Sequence, residues 1–400
     1  MISLFWRWTQ RAQVALPWAQ LASSRMRLLA AAGAVALATV VIFMQIGFRN
    51  GLFESSVRIH RLLDADIILL SKKSIGASYL ESFSDRELYR VLGDRRVDSV
   101  SPVNWGLQLW RNPVDRTFKP ILALGFEPSL PFLLEDELGE GGSYYNQQAL
   151  NIPGRVIFDT LSRREFGVQE SDITMMAHGL LDTEIEGKAA KIVGLVRIGP
   201  SFGSDGTVLM SRESYRRGKG SGIHQIEVGL VRLIDPSKAE EVARDLAKHA
   251  PRDIVVLTKE GFIQKEKEYW MRTTAIGLIF NFGVVLGIVG GIATIFQVLA
   301  ANIVEHREEY ATLEAMGYSG SYIKGIVAKQ GLILTAIGFV PGLGVSNLLY
   351  EMISKSTRLP ITMSTSLAAE IFLVVLGMNL VSGYLAIATT SSIDPAEILE

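Results

Sequence analysis

The sequence predicts a membrane α-helical protein with four transmembrane helices and an α+β domain inserted between helices 1 and 2. Three observations carry that prediction. Uncharged apolar runs of membrane length start at Leu28 and recur in the last third of the chain. Between Asp66 and about Lys259 the texture changes to alternating charges, prolines and short apolar runs. One charged, helix-favouring segment, residues 305–325, is caught between two apolar runs. The whole-chain figures agree: 48% of 400 residues are apolar and the mean hydropathy is +0.25, between a soluble enzyme and an all-membrane transporter.

Composition also excludes classes. A net charge of −1 gives no basic face for nucleic acid. The absence of cysteine removes disulfides, thiol nucleophiles and thiolate zinc sites, and suits a domain in an oxidising compartment that relies on its core alone.

Residues 1–27 carry Arg7, Arg11, Arg25 and Arg27 with no acidic residue, interleaved with Trp6, Trp8 and Trp18. That pattern reads as an amphipathic segment on the cytoplasmic face. The apolar stretch that follows is too long for a signal-peptide core and lacks a cleavage site. Leu28–Phe48 holds no charge and forms the first span, with Arg49 onward on the far side. Leu52, Phe53, Val57, Ile59 and Leu63 continue the helical spacing and predict a stalk beyond the bilayer.

Residues 49–272 then comprise stalk helices and the α+β domain. Asp66–Ser71, Val156–Phe158, Ile192–Ile198 and Gln225–Val231 read as strands, and Asp85–Leu92 and Ser237–His249 as helices. A break between two lobes is placed near Gly139–Gly142. Lys259–Arg272 reads as a second stalk helix leading into the second span, Thr273–Val304, which runs 32 residues without charge. Gly283, Gly287 and Gly291 recur there at four-residue spacing, a pattern that lets two backbones approach, either across a dimer or inside the bundle. The third span covers 326–349, with a kink expected at Pro341, and 350–366 forms an outer loop. The fourth span covers 367–390, and residues 391–400 return to the cytoplasm with the N-terminus.

In the segment between spans two and three, Glu308–Met316 is built of helix formers, with Tyr310, Leu313 and Met316 at three-residue spacing on one face. Gly317 stops the helix and Tyr318 opens the next turn. A short amphipathic helix clipped by glycine between two spans has the shape of a docking part.

No stretch supplies the GK[ST] end of a phosphate loop, since Gly187-Lys188 is followed by alanine. Gly199-Pro200-Ser201-Phe202-Gly203 satisfies GxSxG, with His224 or His249 as bases for a Ser201 hydrolase, but the following SDGTVLMS reads as turn and strand where a nucleophile elbow needs a helix. The histidines His60, His178, His224, His249 and His306 form no metal-binding spacing, and Glu135–Glu137 sits in a polar loop.

Several of these stretches carry a family resemblance. EYATLEAMGYS followed by QGLILTAIGFVPG resembles the cytoplasmic segment of MacB/FtsX-class ABC permeases, nearest to the DevC type. MQIGFRNGLFESSVRIHRLLDADIILLS, SVSPVNWGLQLWRNP, ILALGFEP and GPSFGSDGTVLMS resemble the same type, the last through a turn at Phe202, Asp205 and Gly206. The resemblance implies a bacterial inner-membrane exporter permease working as a homodimer, with the α+β domain in the periplasm. Its coupling helix, here Glu309, Tyr310, Leu313, Met316, Gly317 and Tyr318, would contact an ABC ATP-binding subunit (DevA-like) that binds the ATP, leaving this chain without a cofactor. Glu314 departs from the basic residue more usual there. A periplasmic membrane-fusion adaptor (DevB-like), an outer-membrane TolC-like channel and glycolipid cargo are implied likewise. Two alternatives stand: an FtsX-like force transmitter regulating a cell-wall hydrolase, and a membrane-anchored serine hydrolase.

Overall fold

The computed structural model describes residues 16–134, 147–168, 181–220 and 222–390. The lobe break at Gly139–Gly142, Glu135–Glu137, His178, most of the N-terminal amphipathic segment and residues 391–400 lie outside the described residues. The chain divides into two units, one holding the long helices and the other residues 52–275 with 358–360.

In the helical unit, α1 (Arg25–Ser56), α2 (Ala275–Glu305), α4 (Gly320–Thr357) and α5 (Thr365–Thr390) are long and apolar enough to cross a membrane, and α3 (Arg307–Ala315) lies between α2 and α4. Lipid tails are as apolar as leucine, so these helices cannot associate by hydrophobic burial and must gain from close packing. Glycine provides it. A Cβ on Gly338 would stand 2.5 Å from the Val35 side chain and 2.8 Å from the Ala32 carbonyl oxygen, and one on Gly342 would meet Thr39 at 2.9 Å. Between α1 and α4, Tyr350 also donates its hydroxyl to the Phe43 carbonyl at 2.5 Å. Pro341 lies inside α4, which continues through it. The outer side of α2 stays bare, with Leu278 and Phe282 more than half exposed, as a lipid-facing surface requires.

α1 does not run on unbroken into a stalk. It stops at Ser56, Val57 leaves helical geometry with ψ near 5°, and Arg58–Leu62 forms a separate short helix. Ser55 and Ser56 donate to the carbonyls of Leu52 and Phe53 at 2.7 and 2.8 Å, competing with the helix ladder where it ends. The second predicted stalk is likewise divided: Lys259–Glu268 is α-helical, Tyr269–Thr273 widens into a π turn, and Thr274 is extended.

The other unit is α+β. Its strands are β1 (Ile67–Ser71), β2 (Phe83–Ser84), β3 (Val97–Arg111), β4 (Phe118–Phe126), β5 (Arg155–Asp159), β6 (Leu181–Ile185), β7 (Lys188–Val196), β8 (Thr207–Ser211), β9 (Gln225–Ile226), β10 (Val228–Leu233) and β11 (Ile254–Thr258). Nine of them form one sheet in the order β11-β1-β10-β3-β4-β8-β5-β7-β6, and β3 pairs a second time, with β6, closing the last six strands into a ring. All six contribute to one cluster, from Trp110 and Ile121 through Phe158 and Ile185 to Ile192 and Met210. Trp110 lies 5.2 Å from the Phe158 ring and donates its indole N–H to the Phe166 carbonyl at 3.1 Å. The 15-residue β3 thus serves two parts of the sheet: Val97–Val103 pairs with β10, and Asn104–Arg111 with β4. The run IILL is uniformly apolar because β1 is covered on both faces. Ile67 and Leu69 pack under the helix Ala239–His249 with Val242, and Ile68 and Leu70 join Phe262 and Leu230.

His60 is the anomaly of this core. Its ring lies 4.3 Å from Phe262 and 5.4 Å from Trp105, it is 1% exposed, and neither nitrogen has a partner. Burial pushes its pKa from 6.5 down to about 3. A base held neutral by folding stabilises fully above pH 6.5, and that stability is lost as pH falls towards 3. His60→Phe removes the titration. Thermal unfolding of the full chain in detergent should show the variant gaining roughly 3 kcal/mol on wild type between about pH 7.5 and about pH 4.5. A gap that stays constant across that range would mean that the imidazole is hydrated.

Candidate docking helix

α3 begins where α2 ends. His306 leaves helical geometry, α3 restarts at Arg307, and Gly317 closes it. Gly317 has a φ of +88° with nothing within 4 Å of a Cβ, so glycine is required there by backbone conformation and not by space. The amide of Gly317 donates to the Glu314 carbonyl at 2.9 Å and that of Tyr318 to the Leu313 carbonyl at 3.1 Å. These two bonds satisfy carbonyls that a helix end leaves open.

The residues singled out in the sequence separate into two groups. Tyr310 is buried, and burial pushes its hydroxyl up to about 12, so it remains a donor. It donates to Gln20 Oε1 at 3.0 Å. Glu309 accepts from Gln20 Nε2 at 2.8 Å and lies 3.1 Å from His306 Nδ1, and the Gln20 bond holds its carboxyl below the usual range. Gln330, fully buried on α4, donates to the same Gln20 oxygen at 2.9 Å. Gln20 therefore fastens α3 to α4 from the N-terminal side. Met316 and Tyr318, by contrast, are exposed by 63% and 46%, Leu313 is half-buried, and the Tyr318 ring stacks 4.7 Å from Tyr322.

The single face expected of Tyr310, Leu313 and Met316 is thus not found. Three residues fall short of a 3.6-residue turn, so each step of three rotates the side chain by about 60° and two steps by about 120°. Tyr310 points inward and Met316 outward. Gln20, His306 and Gln330 were missed, although a lone amide inside an apolar run, as at Gln330, is a readable signal because buried amides need partners.

Gly283, Gly287 and Gly291 face α1 of the same chain. A Cβ at Gly283 would meet Gln45 at 2.6 Å, one at Gly287 Val41 at 3.3 Å, and one at Gly291 Ala38 at 3.1 Å as well as Met378 of α5. Gly338 and Gly342 make the closer crossing and were not singled out.

The GxSxG loop does not form an elbow. Ser201 pairs with Ser204 in an isolated bridge and the chain proceeds into β8. Its anchor is Asp159, fully buried, which accepts from the amides of Ile198 and Gly199 at 2.9 Å each and of Leu161 at 3.0 Å. His224 partners Asp85 at 3.2 Å and His249 the Asp245 carbonyl at 3.0 Å.

Residues 281–395 match the family described as FtsX-like permease C-terminal. With four helices of membrane-crossing length, the chain is a multi-pass membrane protein. No curated protein matches significantly. Among solved structures, the periplasmic region of MacB from Actinobacillus actinomycetemcomitans is similar at 12% identity and TM-score 0.34, covering 52% of this chain and 94% of that one. The extracellular domain of the noncanonic ABC-type transporter YknZ from Gram-positive bacteria is similar at 12% identity and TM-score 0.34, covering 48% and 98%.

Gln20→Ala should strand the Tyr310 hydroxyl and the Gln330 amide, each unpaired buried group costing about 1–3 kcal/mol. Amide exchange across residues 307–316 should accelerate more than tenfold, against a smaller change for Tyr310→Phe. Equal exchange in wild type and Gln20→Ala would remove the latch.

Proposed function

We propose that this chain is the membrane subunit of an ABC-type exporter, DevC-like within the MacB/FtsX class, and that a separate ATP-binding subunit docks on α3. The observation that carries the reading is the exposed Met316 and Tyr318 with the half-buried Leu313, set by Gly317 between two membrane-length helices inside the FtsX-like segment. An isolated solvated helix has no need of exposed Met and Tyr on one side and a buried amide hub on the other. In this reading α3 is cytoplasmic with both termini, the α+β domain is periplasmic, and two copies pair at the inner membrane. ATP stays on the partner chain.

The geometry gives a route for force. A push on Leu313 and Met316 reaches Tyr310 and Glu309 one or two turns away on the same helix, and through Gln20 it reaches Gln330 on α4. α4 grips α1 at Gly338 and Gly342, where no slack exists for independent sliding. The cargo, glycolipid or another lipid-like molecule, would then pass to a DevB-like adaptor and a TolC-like channel. A force transmitter acting on a cell-wall hydrolase would use the same route, and the FtsX-like match keeps that reading in view.

Co-purification of the full chain with the ATP-binding subunit encoded beside it, followed by Mg-ATP hydrolysis, tests the assignment. Leu313→Asp buries a charge at the contact and should cut subunit retention at least tenfold while membrane insertion is unchanged. Gly317→Ala should shift the docking face with a smaller loss, since the left-handed conformation costs a non-glycine residue about 1–2 kcal/mol. Retention of an ATPase that is indifferent to Leu313→Asp would move the docking site elsewhere.

A further inference from the structure

We propose that the groove between the start of α1 and the end of α2 is a site for one phospholipid whose headgroup carries a primary ammonium, and that its occupancy sets the hold on α3. The groove has a volume of about 230 Å³ and mostly apolar walls, among them Leu28, Val298 and Ala301. It opens at the helix end that carries exposed Arg25 and Arg27, and Trp18 in the preceding segment is exposed as well, the mixture found where a membrane meets water. An apolar recess at that depth is filled by an acyl chain, because water there would gain too few polar partners.

The polar groups at the groove select the headgroup. Arg27 and Glu305, both lining it, form an ion pair with each other, so the site is zwitterionic and not basic. Asn302 adds a buried amide oxygen with no partner. One guanidinium suits a phosphate, while a carboxylate and an unpaired amide oxygen both ask for N–H donors. A phosphoethanolamine group supplies the phosphate and three such donors. A choline group has the same charges without N–H, and a glycerol headgroup lacks the cation.

Gln20 also lines this groove, and it is the side chain that joins Glu309, Tyr310 and Gln330. A chain seated against Gln20 would restrict it to the rotamer that bridges α3 to α4. The regulatory part of the proposal rests on α3 as the docking helix, whereas the binding part does not.

Both parts can be read on the full chain alone, reconstituted in phosphatidylcholine nanodiscs with phosphatidylethanolamine or phosphatidylglycerol added at equal mole fraction. Native mass spectrometry should show phosphatidylethanolamine retained roughly fivefold over either other lipid, the ratio that a single solvent-accessible ion pair supplies. Glu305→Gln should erase that preference, and Ala301→Phe, which fills the groove, should abolish retention of all three. Amide exchange of residues 307–316 should slow severalfold with phosphatidylethanolamine in wild type but not in Ala301→Phe. Equal retention of the three lipids, or retention unaffected by Ala301→Phe, overturns the site. Selective retention with unchanged exchange overturns the regulatory part alone. Failure of any ATPase to dock leaves both readouts intact and counts only against the docking assignment.

Discussion

The helical unit depends on how closely backbones approach α1. In hydrocarbon, removing apolar surface from one apolar neighbour to another gains little, so the stabilisation has to come from dense van der Waals packing and a few well-made hydrogen bonds. α1 meets α4 through Gly338 and Gly342 and α2 through Gly283, Gly287 and Gly291, while Tyr350 ties α4 to the Phe43 carbonyl. Each of these glycines leaves room for a side chain of α1 that a methyl group would displace. α1 is consequently the post against which the other helices are set, and the orientation of α3, fastened to α4 by Gln20, follows from it.

That arrangement puts the two chemical halves of α3 in different surroundings. The inner half is governed by hydrogen-bond accounting: the Gln20 oxygen accepts from Tyr310 and Gln330 while its amide nitrogen donates to Glu309, and the Tyr310 hydroxyl, pushed up to about 12, stays a donor at neutral pH. The outer half, Leu313, Met316 and Tyr318, is governed by apolar area that a partner could cover. A helix of nine residues has little stability of its own, so the inner bonds and the glycine cap are what keep the outer face presented.

Much of the architecture was legible in the sequence because it rests on one-dimensional signals. Uncharged runs mark the long helices, and Gly317 marks the stop of α3. What could not be read depends on pairing over long separations. Nothing in Trp110 and Ile185 announces that β3 and β6 meet and close a ring, and Gln20 and Gln330 are 310 residues apart in the chain. The misassigned face of α3 had a different origin: a spacing of three was treated as a repeat, when only a mixture of three and four stays on one side of a helix. The break in the first stalk at Val57 could not be read because hydrophobic spacing does not register the carbonyl competition made by Ser55 and Ser56.

The double use of β3 has a consequence for how this domain can vary. Side chains alternate faces along a strand, so one inserted or deleted residue turns every later residue over. In most sheets the damage ends at one layer. Here a single-residue change near Val97 would carry through to Arg111, turning out Trp110 from the ring as well as exposing the residues that face the Ala239–His249 helix. The parts of the sheet that pair with the two ends of β3 are therefore not modules that could be exchanged or lengthened separately, and tolerated changes of length belong in the connections that leave β3 untouched.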